Sequence, residues 1–409
     1  MLVSECHNNG LYGVEGNRLN SLPEGTLVSP TRTIKDALIY YGYPSSVNGS
    51  GGDVSKAIDA FKKFDLIVFG DDLKEPNHSD NAKTRQIIAG LKDYNPKIEI
   101  FGYVQIGMDG SAGSDLPFVE IQRQIGLWEQ AGVTGIFLDE FGYDYKVTRE
   151  RQNQCVDYCH SKGFNIIANY WKVSYVFSSS NIYIDWINFN GNPNNIPPTI
   201  NENDYYMYES LFFSKGSAGE QRVSKTSRLR DITDYYADKR PELGNKTYRE
   251  YFGTKTIGLD VMVERNQDYF NTAYIGALMC GIDSYACNIG GYTNRNLPDY
   301  TKPQLPAVLF DSQLGVVVSA TFDGQEHAQF TNRYGDEIEF KLLWRQDDAS
   351  ERNPVTGIRG VYVNGTPLKP INAGLPYEAN VGDMYFNMLT GRPVWWSGAK
   401  WINSDGTDA

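Results

Sequence analysis

GIFLDEFGYD, residues 135–144, is the stretch on which the fold turns. Ile136, Phe137 and Leu138 form an apolar run with no polar alternation, too short for a helix of ordinary length. Such a run suits a parallel strand covered on both faces. It stops abruptly at two carboxylates, Asp139 and Glu140. Successive side chains of a strand point to opposite faces, so these two cannot both enter the same space. Asp139 follows Leu138 directly and is assigned to the interior. The competing reading is that either carboxylate caps the following loop or pairs with a surface arginine.

The same device repeats on both sides of this stretch. Upstream stand ALIYYG (37–42), a helix at 54–64, DLIVFGDD (65–72), a helix at 82–93, IEIFGYVQIG (98–107) and a helix at 116–131. Downstream come a helix at 149–162, FNIIANY (164–170), DWINFN (185–190), YYMYES (205–210) and a helix at 227–238. TIGLDVM (256–262), a helix at 267–279 and IDSYAC (282–287) close the series. Seven to eight strand–helix units in one continuous stretch predict an α/β fold, a (β/α)8 TIM barrel, rather than an open sheet. No Gly-rich phosphate turn follows the first strand, which removes the main support for a nucleotide-binding doubly wound fold.

The barrel is expected over residues 34–300, after an irregular Gly-, Asn-, Ser- and Pro-rich lead-in at 1–33. Beyond 300 the helical pattern ends. VVVSATF, HAQFTNRY, IEFKLLWRQ and IRGVYVNGTPL read as short strands joined by NG- and DG-type turns. A small all-β C-terminal module is therefore expected over 301–409: a sandwich-like part at about 305–370, then a Trp-rich terminal tag containing Trp395, Trp396 and Trp401. Three tryptophans so close together expose more apolar area than a monomer normally tolerates, so a homo-oligomer formed through this module is expected.

The 409 residues carry 50 acidic and 38 basic side chains, a formal net charge of −12. That field repels phosphate backbones and argues against a nucleic-acid partner. No apolar run approaches the length needed to span a bilayer, so no membrane partner is expected. The opening residues lack a basic segment followed by an apolar one and are not read as a secretory leader. Work outside a cell would then mean export without one, as part of a virion for instance, or a leader already trimmed. Cys6, Cys155, Cys159, Cys280 and Cys287 are odd in number and scattered. Cys155, Cys159 and the adjacent His160 invite a metal reading, but no second Cys/His cluster has zinc-like spacing, and buried thiols are the better account. No metal and no cofactor is expected. The four histidines lack the nucleophile context of a triad, so the chemistry falls to carboxylates.

In a barrel of this kind the site lies at the C-terminal strand ends. Those ends carry Asp71 and Asp72, Tyr103 and Gln105, Asp139 and Glu140, Asn169, Glu209, Asp260 and Tyr285. Converging carboxylates without a basic partner are what glycoside hydrolysis requires. One carboxyl must hold a proton for the leaving oxygen while another stays ionised. Asp139 and Glu209 are the expected catalytic pair; Asp71, Tyr103, Gln105, Glu140, Asn169, Asp260 and Tyr285 are the expected substrate-binding set. Loop capping or salt bridging competes for Asp71, Asp72 and Asp260, and for Glu209 in YYMYES the start of the next segment does. The 28 tyrosines suit sugar-stacking platforms as well as an ordinary Tyr-rich core.

FLDEF, YVQIG and YESLF resemble the strand-end motifs of glycoside hydrolase family 114, the endo-α-1,4-polygalactosaminidases and their relatives. The resemblance runs over residues 36–290. It implies a (β/α)8 barrel, Asp139 as the strand-four Asp and Glu209 as the strand-six Glu of a catalytic pair. It also implies Asp71 at an acidic strand-two position and Tyr103 as an aromatic beside the cleaved sugar. YVQIGM departs from the family's Tyr-x-Ser-x-Gly pattern, which bears on the substrate more than on the reaction type. The terminal GDMYFNMLTGRPVWWSGAKWINSDG is similar to C-terminal tags of phage tail-fibre and tailspike proteins. The expected function is an endo-acting glycosidase cleaving a bacterial surface polysaccharide or exopolysaccharide, with amino sugars suiting the acidic mouth, as a phage-associated depolymerase that is extracellular or virion-borne. The alternatives are a non-catalytic carbohydrate-binding receptor-recognition protein and a structural virion protein.

Overall fold

The computed structural model describes residues 34–302, apart from residues 112, 224–226 and 237, together with eight strands and Ser397 between residues 315 and 403. Eight strands close a barrel: β1 (Lys35–Tyr40), β2 (Leu66–Phe69), β3 (Glu99–Gln105), β4 (Gly135–Asp139), β5 (Asn165–Asn169), β6 (Tyr205–Glu209), β7 (Lys255–Met262) and β8 (Ser284–Ile289). Every neighbouring pair is parallel, and β8 pairs with β1 to complete the ring. Helices α1 (Val54–Phe61), α2 (Asn81–Tyr94), α3 (Phe118–Ala131), α4 (Arg149–Ser161), α5 (Val173–Phe177), α6 (Ser227–Tyr236), α7 (Tyr248–Phe252) and α8 (Gln267–Met279) lie in the connections. The chain is a (β/α)8 barrel followed by a β-rich region.

The alternation within each strand sorts two cores. One parity, including Ile39, Val68, Phe101, Phe137, Ile167 and Leu259, fills the barrel interior. The other, including Leu38, Ile67, Ile100, Ile136 and Ile166, faces the helices. Both sets are buried, which is why the strands read as unbroken apolar runs; each such side chain contributes about 1.5–3 kcal/mol by leaving water. At the N-terminal end of the barrel Lys35 pairs with Glu99, and the Tyr205 hydroxyl donates to Glu99 at 2.8 Å. These polar groups close the barrel floor. Helix starts follow local chemistry: Asp53 accepts from the backbone N–H groups of Ser55 and Lys56 ahead of α1, and Thr148 caps α4.

One expected strand lies outside the barrel. Within DWINFN, Asp185–Ile187 is a 3-10 turn, and Phe189–Asn190 pairs antiparallel with Tyr183–Ile184 in a small hairpin. Ile187 and Phe189 pack partly buried against the helix-side core while Trp186 is 75% exposed, so the segment supplies no barrel strand and β6 is the next one. The lead-in at 1–33 and Cys6 lie outside the described residues. Cys155, Cys159, Cys280 and Cys287 are buried free thiols.

Towards the C-terminus the strands are β9 (Gly315–Ala320), β10 (Gln325–Thr331), β11 (Glu337–Leu343), β12 (Ile358–Val363), β13 (Thr366–Ile371), β14 (Met384–Asn387), β15 (Arg392–Trp396) and β16 (Trp401–Asn403). They follow one another across one sheet, antiparallel except for the parallel β13–β14 pair. The Trp-rich end is thus part of that sheet rather than a separate tail. Trp401 is 4% exposed, which removes it from the exposed patch its sequence suggests.

Candidate active site

β4, β5 and β6 are adjacent in the barrel and each ends on an inward polar residue: Asp139, Asn169 and Glu209. The placement is a parity effect. Phe137, Ile167 and Met207, two residues earlier, fill the interior, so the following inward position on each strand emerges at the mouth. The Asn169 amide stands between the two acids. Its Nδ2 donates to Asp139 Oδ1 at 2.7 Å and reaches Glu209 Oε2 at 3.3 Å. Asn169 Oδ1 is buried and has no hydrogen-bond partner among the described residues.

Each acid also holds a tyrosine. The Tyr103 hydroxyl donates to Asp139 Oδ2 at 2.8 Å, and the Tyr292 hydroxyl donates to Glu209 Oε1 at 3.0 Å. The Glu140 backbone N–H adds a third bond to Asp139, at 2.9 Å to Oδ1. Burial, and after it the nearby carboxylates, push both tyrosine hydroxyls far above their ordinary range. Neither ionises near neutral pH, so both serve as fixed donors. Tyr41 lies between them, its ring centroid 5.3 Å from that of Tyr103 and 5.2 Å from that of Tyr292. A Cβ on Gly70 would come within 2.0 Å of the Tyr41 ring, so glycine is required there.

The residues after the two acids share an unusual backbone. Glu140 has φ +54° and Ser210 has φ +55°, the left-handed region that non-glycine residues avoid at a cost of about 1–3 kcal/mol. Each strand ends sharply just past its carboxylate, and the chain turns away from the mouth. The Ser210 turn is anchored from behind by Asp260, whose Oδ1 accepts from the backbone N–H groups of Phe212 and Phe213 at 2.7 and 2.8 Å.

The other expected residues divide. Gln105 ends β3, and its Nε2 donates to Glu140 Oε2 at 2.6 Å; Ser111 stands 3.5 Å from the other Glu140 oxygen. Glu140 therefore folds over the β3 loop beside the mouth, where burial raises its carboxyl, the Gln105 bond lowers it and Asp139 raises it. Asp260 and Tyr285, expected at the mouth, face the helix layer instead. Leu259 and Ala286 take the inward positions beside them, and the buried Tyr285 hydroxyl donates to Asp260 Oδ2 at 2.6 Å. Asp71 opens a 3-10 turn over Asp71–Lys74, and its side chain lies outside those described. Tyr41 and Tyr292 are additions that strand-end reading misses. Tyr41 shares the parity of Ala37 and Ile39 and is legible in ALIYYG; Tyr292 lies in a loop after β8, where strand parity gives no guide.

Beside the acids a cavity of about 450 Å3 opens near the ends of β1, β2 and β3, lined by Tyr41, Asp72, Lys74, Tyr103, Gln105 and Gln124 among others. Gly113 lies over its edge with φ +87°, where a Cβ would come within 2.6 Å of Gln105 Oε1. Among the described residues no group of His, Cys, Asp and Glu side chains has the arrangement of a metal site, and no helix is long and apolar enough to cross a membrane.

No protein-family model matches the chain, and no curated protein matches it either. Solved structures with a similar fold include a candidate alpha-galactosidase from Bacteroides fragilis, at TM-score 0.41 and 11% identity, covering 77% of this chain and 71% of that one. A candidate alpha-N-acetylgalactosaminidase from Bacillus halodurans aligns at TM-score 0.41 and 10% identity, covering 79% and 87%. The alpha-galactosidase of Saccharomyces cerevisiae aligns at TM-score 0.39 and 11% identity, covering 76% and 74%.

Proposed function

We propose that the barrel mouth is the active site of a glycoside hydrolase in which Glu209 is the proton donor and Asp139 the nucleophile. The observation that carries this reading is the shared Asn169 amide, which holds two carboxylates from different strands against one another. Those two oxygens stand no more than about 6 Å apart, close enough for both acids to act on one glycosidic bond. With Asp139 as nucleophile, retention of configuration is the expected outcome.

In the first step Glu209 gives its proton to the glycosidic oxygen as that bond breaks, and an Asp139 oxygen bonds to the anomeric carbon. In the second, Glu209 takes a proton from water, the water oxygen bonds to the anomeric carbon, and Asp139 leaves as carboxylate. Three donors orient Asp139 for attack: the Tyr103 hydroxyl, the Asn169 amide and the Glu140 N–H. Glutamate reaches farther from its strand than aspartate, which suits delivery of a proton to the leaving oxygen.

The finer reading is endo-cleavage of a bacterial surface polysaccharide or exopolysaccharide, in an extracellular or virion-associated setting, and it draws support from the family 114 resemblance at FLDEF and YESLF. Purified protein incubated with a panel of bacterial polysaccharides should release shorter oligosaccharides with new reducing ends. Asp139→Asn and Glu209→Gln should each abolish that release, and NMR should find the first-formed anomer unchanged from the substrate. Release by the Asp139→Asn, Glu209→Gln double variant at the wild-type rate would refute the assignment.

A further inference from the structure

We propose that the cavity between the ends of β1, β2 and β3 is a binding subsite for one neutral pyranose unit, with Lys74 and Asp72 reading its hydroxyls. Its position next to the bond being cut rests on the hydrolase reading above; its ability to hold a sugar does not. At about 450 Å3 it falls within the roughly 300–1,000 Å3 of small-molecule pockets. The Tyr103 hydroxyl is bonded to Asp139, so a ring seated against Tyr103 lies one side chain away from that carboxylate.

The lining combines two chemistries. Tyr41 and Tyr103 meet at 67° and offer ring faces and edges to the C–H surface of a sugar. In the turn Asp71–Lys74, which adds to the same lining, Lys74 Nζ stands 3.7 Å from Asp72 Oδ1. That exceeds the roughly 2.7–3.2 Å of a made N–H···O bond. A hydroxyl can join the two, its oxygen accepting from the ammonium and its proton going to the carboxylate. The Lys74 side chain is only 5% exposed whereas that of Asp72 is 73% exposed, so the cation is fixed and the carboxylate can adjust to a ligand. Gln105 and Gln124 bring amide oxygens and nitrogens to the same space.

Charge decides the class of ring. One lysine and one aspartate cancel on the lining. A ring bearing a carboxylate meets Asp72 and, past Gln105, Glu140. A ring bearing an ammonium meets the buried Lys74. Only a hydroxyl finds a favourable partner at either charge, because it both donates and accepts.

Ligand-observed saturation-transfer NMR tests this on the full chain, with glucose, galactose and mannose as neutral probes, glucuronate as the anionic probe and glucosamine as the cationic one. At least one neutral sugar should bind with a millimolar Kd. Lys74→Met and Asp72→Asn should each weaken it tenfold or more, while Asp59→Asn, on the exposed face of α1 and outside the cavity lining, leaves it within threefold. Asp72 is mostly exposed, so its variant keeps the test open if Lys74→Met does not fold. The proposal is overturned if no neutral sugar binds, if Asp72→Asn binds as well as the native chain, or if glucuronate or glucosamine binds tenfold more tightly than every neutral sugar. The polysaccharide screen separates the two ideas. Sugar binding without hydrolysis leaves the subsite standing and removes the enzyme. Hydrolysis whose KM is unmoved by Asp72→Asn leaves the enzyme standing and removes the subsite.

Discussion

Replacing Asp260 tests how the Glu209 strand end is held in place. Its carboxylate is fully buried on β7, one residue beyond Leu259, which pairs with Glu209 across the ladder. It accepts the N–H groups of Phe212 and Phe213 and the Tyr285 hydroxyl. Asp260→Ala strands all three donors. A buried donor without a partner costs about 1–3 kcal/mol, so with water partly filling the gap the loss should be roughly 3–6 kcal/mol. Asp260→Asn keeps an oxygen for the two N–H groups and lets Tyr285 turn to accept from the amide, so it should stay folded and active. The pH dependence gives a second readout. Burial pushes the Asp260 carboxyl from 3.8 up to about 6, against hydrogen bonds that lower it. The folded chain therefore prefers this group protonated. Its contribution to stability is complete below about pH 4, the unfolded value, and is lost as pH rises through about 6. At 1.36 kcal/mol per pKa unit the loss comes to about 3 kcal/mol. Asparagine does not titrate. Urea unfolding followed by fluorescence at pH 4, 5, 6 and 7 should find Asp260→Asn gaining about 3 kcal/mol on the native chain across that range. Parallel stability curves for the two proteins, or Asp260→Ala as stable as Asp260→Asn, would refute the reasoning.

Loss of either acid should lower kcat by at least roughly 10²–10⁴-fold with unfolding midpoints unchanged, the usual contribution of one general acid or base. Glu140→Gln should retain most activity, because Gln105 holds that side chain over the β3 loop; a dead Glu140→Gln beside an active Asp139→Asn would transfer the role to Glu140. A chain ending at residue 302 should stay folded and keep its helical circular dichroism. The cut must spare Asp299, Thr301 and Lys302, which bond to Arg265, Gln267 and Asp36; aggregation of that shortened chain would place the boundary elsewhere. His160→Gln should destabilise most below pH 6.5. The hydrogen bond that the imidazole donates to the buried Asp204 raises its pKa, so its contribution is complete below the unfolded value and fades as pH rises through the folded one. Equal thermal midpoint losses at pH 5.5 and pH 9 would contradict that coupling.

Much of the barrel was legible because burial on both faces leaves a local signature. LIVF at 66–69 and GIFL at 135–138 could be read as parallel strands without any partner in view. The helix starts were equally local: Asp53 and Thr148 cap α1 and α4 whatever the rest of the chain does. DWINFN failed the same test. Its composition is that of a strand, but none of Asp185–Ile187 is buried and Trp186 stands in solvent, and composition does not record which surface a residue will meet.

That Asp139 and Glu209 stand at strand ends is written along the chain, since an apolar run that breaks at a carboxylate admits few other readings. Whether such an end points into the mouth or behind it was decided by the closed barrel. Asp260 and Tyr285 lie on strands as regular as β4, yet one residue of parity turns them towards the helices, where they brace the turn after Glu209 instead of meeting a ligand. Asn169 comes to stand between the two acids, and Tyr292, from the loop after the last barrel strand, comes against Glu209, only in the folded chain. Backbone propensity and burial act over a few neighbouring residues and can be read along the chain. A contact between residues 83 positions apart exists only once the ring has closed.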